Sequence, residues 1–129
     1  MGIGAIRRRM ALGMAVLTTS GLLALAAPGS AQAASYCAGH KVKDLPFSTG
    51  VVHVYKRDGY VCAVTFPTEP STAERPMSVS VQARGNRPVV DKGRYSHHAG
   101  PVTVHAGHRC VWLKGSVQDG TVSSGWILC

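Results

Sequence analysis

The sequence predicts an all-β domain, and three observations support this. From Val51 onward, apolar and polar residues alternate in short runs, and no stretch at helical spacing is long enough to make a helix. Glycine- and proline-bearing turns separate these runs at short intervals. All four cysteines, Cys37, Cys62, Cys110 and Cys129, follow residue 33, and an even cysteine number in a short exported chain implies a framework of two disulfides. About seven to eight short antiparallel strands at this turn spacing point to a small β-sandwich or a closed barrel.

The first segment, residues 1–33, reads as a secretory signal peptide. Arg7, Arg8 and Arg9 form its positive region, Met10 to Ala27 its mostly apolar stretch, and Ala31-Gln32-Ala33 puts small residues before a cut. Thr18, Thr19, Ser20 and Gly21 interrupt the apolar stretch, which argues against a permanent anchor. The expected mature domain is 34–129, secreted, with no membrane span after cleavage. Of 14 Lys and Arg, three belong to the leader, so eleven remain against six Asp and Glu, a net of +5 with neutral histidine. Such a balance draws a secreted protein toward anionic cell-wall or spore-surface polymer. The positive residues are scattered, so a groove for specific nucleic acid is not expected.

Within the domain, Val51–Lys56 and Tyr60–Phe66 flank Asp58-Gly59, a strong hairpin signal. Cys62 then faces the same side as Val64 and Phe66. Pro67 to Pro76 carries three prolines among small and polar residues and reads as an exposed connection. Its residues Thr68, Glu69, Ser71 and Thr72 are the expected contacts for a protein partner. Met77–Arg84 alternates cleanly, with Met77, Val79, Val81 and Ala83 on one face, as a half-buried strand does. Gly85-Asn86-Arg87 and Lys92-Gly93 read as turns bounding a short strand at Pro88–Asp91. "RYSHH", "PVTVH", "CVWLKGSV" and "VSSGWILC" supply the remaining strands.

Four cysteines allow three pairings. Cys37 with Cys62 and Cys110 with Cys129 closes the shortest loops, for which chain entropy gives roughly 3 kcal/mol per bridge. Zinc is a poor alternative use of these residues because no C-x-x-C pair exists.

The run "HHAGPVTVHAGHRC", residues 97–110, holds four histidines. If Ala99-Gly100-Pro101 and Ala106-Gly107 are turns, His105 lies opposite His108, and His97 shares their face while His98 takes the other. His97, His105 and His108 would then be candidate ligands for zinc or copper. The competing expectation is that they are exposed turn and strand residues; His40 and His53 enter neither arrangement. No cofactor and no catalytic residues are expected. The chain lacks a G-x-S-x-G elbow and phosphate-cradling glycines, and its six carboxylates suggest no glycosidase pair. Trp112 and Trp126 are expected to pack against a disulfide, whereas an exposed aromatic stripe would favour polysaccharide recognition.

The segments "YCAGHKV", "VVHVYKRDGYVCAVT", "VVDKGRYSHHAGPVTVHAGHRCVW" and "GWILC" together resemble the small secreted actinobacterial proteins named after spore-associated protein A. The resemblance runs over Tyr36 to Cys129 and departs at the end, where Leu128-Cys129 replaces a His-Cys-Gly-type terminus. It implies a compact disulfide-bonded β domain found with the spore or cell surface. It transfers no catalytic residue, because the family name records a location. The alternative expectation is a secreted inhibitor of an extracellular amylase or protease acting through the Pro67–Pro76 loop.

Overall fold

A computed structural model of the chain describes residues 33–129. The expected signal peptide therefore lies outside the described residues, apart from Ala33. Residues 33–36 form a single helical turn, closed by the Cys37 amide donating to the Ala33 carbonyl at 3.1 Å.

Eight strands follow: β1 (His40–Phe47), β2 (Gly50–Arg57), β3 (Tyr60–Pro67), β4 (Arg75–Ala83), β5 (Val89–Tyr95), β6 (Ala99–His105), β7 (Val111–Val117) and β8 (Gly120–Ile127). They form two antiparallel four-stranded sheets, ordered β1-β2-β3-β6 (sheet A) and β5-β4-β7-β8 (sheet B). Each sheet keeps two edge strands, so the architecture is a sandwich and not a closed barrel. Among the described residues no helix is long and apolar enough to cross a membrane.

The core lies between the sheets. Val52, Val54, Val61 and Ala63 enter it from sheet A, and Met77, Val79, Val81 and Leu113 from sheet B. Gly115 allows a close approach of the two sheets, because a Cβ there would stand 2.3 Å from Val52 Cγ2 and 2.8 Å from Thr65 Oγ1. The β2–β3 hairpin turns as its sequence requires. Asp58 and Gly59 both take left-handed φ, 51° and 83°, in the manner of a type I′ turn, whose twist matches that of the strands.

β1 carries few apolar residues and precedes the alternation that begins at Val51. A bulge between Lys41 and Lys43 breaks its alternation, so Val42 and Leu45, three positions apart, both pack against the core. Lys92-Gly93 is strand and not turn: Gly93 pairs with Met77, and the Tyr95 ring occupies the space that a Cβ at Gly93 would meet at 3.1 Å. Ala99-Gly100-Pro101 is likewise the start of β6, where Ala99 and Val102 are buried in the core. The chain changes sheets between Tyr95 and Ala99, which removes the need for a tight hairpin there. Across this crossing, Asp91 ties the sheets together by accepting hydrogen bonds from the Tyr95 hydroxyl and, at 2.8 Å, from the Gly100 amide. The first of these bonds raises the Tyr95 hydroxyl above its usual value, since ionising it would place a second negative charge beside the carboxylate.

Candidate functional site

Both disulfides take the short-loop pairing, Cys37–Cys62 and Cys110–Cys129. The first fastens the N-terminal turn to the outer face of sheet A. There Cys62, Val64 and Phe66, which share a strand face as their spacing predicts, cluster with Ala33, Cys37 and Tyr55. The second joins the start of β7 to the residue two beyond β8.

The histidine run is dispersed by the two-sheet topology. His105 ends β6 and pairs with Tyr60 of β3, its ring 4.9 Å from the tyrosine ring. His108 lies exposed in the connection to β7, which crosses to the other sheet, so His105 and His108 do not face each other across a hairpin. Arg109 holds that connection, donating to the carbonyls of Ala106 at 3.0 Å and His105 at 2.8 Å. His97 is exposed. His98 packs against Tyr36 and Phe66, at ring distances of 4.3 and 5.6 Å. No group of three or more His, Cys, Asp or Glu able to hold a metal ion occurs among the described residues.

The expected partner loop is exposed, and its shape is held from within. The Arg75 guanidinium donates to the Glu69 carbonyl at 2.8 Å, and the Ala73 amide to Ser71 Oγ at 3.0 Å. Thr68, Ser71 and Thr72 line a groove of about 970 Å³ together with Phe47, Phe66 and His97. Glu69 is outside that lining.

One polar pair escaped the sequence reading because its strand did. Asp44 on β1 lies beside His53 on β2, with Asp44 Oδ1 2.6 Å from His53 Nδ1 and Oδ2 3.1 Å from Lys41 Nζ. Burial alone would raise the Asp44 carboxyl. The hydrogen bonds from His53 and Lys41 and the attraction to both outweigh it and hold the carboxyl below its ordinary value.

The outer face of sheet B has a different composition. Val111, Leu113, Gly115 and Val117 of β7 are buried, so Trp112, Lys114 and Ser116 project outward. Strand pairing places Gln82 of β4 and Trp126 of β8 on either side of Trp112, and Ser80 and Ser123 on either side of Lys114. On β5, Val90, Lys92 and Arg94 lie opposite the outward Ser80, Ser78 and Pro76. The outward positions of these four strands thus carry Lys92, Arg94 and Lys114 and no carboxylate.

Trp126 reaches this face through a bulge. Strict alternation from the core residue Val122 would turn Trp126 inward with it. Between Trp112 and Lys114 the pairing slips, and the extra residue in β8 turns Trp126 outward and Ile127 inward. Gly125 supplies the left-handed backbone (φ 72°), and Ser124 Oγ accepts from the Leu113 amide at 2.9 Å and donates to the Gly125 carbonyl at 2.7 Å. The two indoles meet edge to face, centroids 5.3 Å apart and planes at 88°. Trp112 Nε1 donates to Ser123 Oγ at 2.7 Å, and the Arg84 guanidinium carbon stands 5.5 Å from the Trp126 ring centre. Trp126 remains 37% exposed. The tryptophans therefore pack against each other on an open face and not within the core. Alternation in β7 signals this for Trp112, whereas no local signal does so for Trp126. Comparison of the chain with protein-family models, with curated proteins and with solved structures found no match.

Proposed function

We propose that the protein is a non-catalytic secreted module held at the actinobacterial spore or cell surface by attraction between its basic surface and anionic polymer. The carrying observation is the outer face of sheet B, where Lys92, Arg94 and Lys114 project without an opposing carboxylate and Arg84 stands beside Trp126 at the far end. A one-signed face attracts a polyanion over several ångströms and keeps that attraction only while salt is low. The resemblance to the spore-associated protein A family supports the location, and the oxidised cysteines are compatible with it.

The test is a salt-wash series on spores and cell-wall fractions. The protein is expected to leave the particles progressively as ionic strength rises. Retention unchanged at about 1 M salt, where charges interact over roughly 3 Å, would end the electrostatic reading.

A further inference from the structure

We propose that the Trp112–Trp126 pair, with Arg84 and Lys114 beside it, is a binding site for an acidic polysaccharide. The inference rests on the electrostatic reading above and narrows it to one ligand chemistry and one place on the sandwich.

The site combines three kinds of group that such a ligand needs. An exposed indole offers a flat apolar surface on which the C–H face of a pyranose ring can lie, and Trp126 is both exposed and braced by Trp112. Cations supply the complement to carboxylate or phosphate on the chain: the Arg84 guanidinium stands over the same ring, and Lys114 projects from the next outward position of β7. Gln82 lies opposite Trp112, where its amide nitrogen donates to the Asn86 carbonyl at 2.8 Å and its side-chain oxygen can accept from a sugar hydroxyl, and the hydroxyls of Ser116, paired with Ser78, and Thr121 lie one outward position beyond Lys114. The bulge at Ser124-Gly125 strengthens the case. It interrupts the sheet pairing to carry a large apolar side chain out of the core and onto a polar face, which costs the burial of an indole.

The arrangement suits sugars better than single-stranded nucleic acid. Successive bases stack on platforms that present their faces in series along a basic track. Here the indoles are perpendicular, so their faces do not lie in series, and hydroxyl-bearing residues separate the cations.

The chain contains two tryptophans, and both belong to this site, so its tryptophan fluorescence, excited selectively over the four tyrosines, reports on the site. The experiment titrates the purified, oxidised protein with polygalacturonate as probe. Dextran serves as a neutral polysaccharide, polyglutamate as a charged polymer without sugar, and polyuridylate as a single-stranded nucleic acid. Polygalacturonate is expected to shift the emission and to bind more tightly than the other three. Trp126→Ala should weaken it about tenfold or more, Arg84→Gln should weaken it less, and Trp126→Tyr should restore most of the loss. Arg57→Gln, on the hairpin of the other sheet, is the control and should leave binding unchanged. Circular dichroism and thermal melting confirm that each variant is folded; should Trp126→Ala fail to fold, Trp126→Tyr and Arg84→Gln carry the test.

Equal, salt-reversible binding of polygalacturonate and polyglutamate, unaffected at Trp126 and Arg84, would overturn the site and leave the electrostatic reading standing. Preference for polyuridylate would overturn the ligand class. Binding to none of the anionic polymers would overturn both readings.

Discussion

The two outer faces of the sandwich are built to opposite rules. On sheet A, His53, Tyr55, Cys62, Val64 and Phe66 are all buried on what would be the solvent side, and the N-terminal turn is fastened there by Cys37–Cys62. On sheet B the corresponding positions are mostly serine, threonine, glutamine, lysine and arginine, with Pro76, Val90 and a tryptophan pair in the open. One face extends the core outward, and the other presents chemistry to solvent. A small domain buries a modest fraction of its surface, so covering one outer face adds apolar burial that the inter-sheet core lacks. The other face is then free to carry charge and an exposed aromatic without endangering the fold.

The largest expected effect tests the covered face. Removing either disulfide costs about 3 kcal/mol, roughly 15 °C in Tm, and the 25- and 19-residue separations differ in loop entropy by only about 0.2 kcal/mol. Cys37→Ala/Cys62→Ala is expected to lower Tm clearly further than Cys110→Ala/Cys129→Ala and to raise the binding of a hydrophobic dye, because it also releases the cover over sheet A. Equal losses by thermal melting would break the comparison.

A matched pair of smaller truncations sharpens it. Val64, fully buried on the outer face of sheet A, and Val90, 54% exposed on that of sheet B, differ in surroundings and not in chemistry. Val64→Ala is expected to cost about 2 kcal/mol and Val90→Ala to stay within about 0.5 kcal/mol, as urea unfolding would measure.

The smallest effect concerns Asp44. Its carboxyl lies below the ordinary value of 3.8, so the contribution of its pairing with His53 and Lys41 is present above that pH and is lost as pH falls through the lower, folded value. Asp44 is 43% exposed, so screening limits the contribution to under about 1 kcal/mol. Asp44→Asn should therefore unfold slightly more easily at neutral pH, and its deficit should vanish in an acid titration of stability once pH falls below the folded value. A deficit that persists there would show that the side chain acts through packing instead.

Several elements were readable because their cause is local. The β2–β3 hairpin follows from Asp58-Gly59, the inward face of β4 from the alternation of Met77, Val79, Val81 and Ala83, and the orientation of Cys62 from its two-residue spacing to Val64. Features hidden from the sequence share a different cause. Bulges in β1 and β8 shift the strand parity on which such reading depends, which concealed β1 and turned Trp126 from a core candidate into a surface one. The hairpin register that would bring His97, His105 and His108 onto one face does not form, because the chain leaves one sheet for the other there, and Ala99-Gly100-Pro101 and Ala106-Gly107 look like hairpin turns when no partner strand is known.

Composition, alternation and turn residues by themselves determined that this chain is a strand-built, disulfide-bonded domain, because each acts over a few neighbouring residues. Tertiary structure alone decided which strands share a sheet, which outer face is covered and where Trp126 points. Those outcomes depend on pairings between residues far apart in the chain, where slipping by one position exchanges inside for outside.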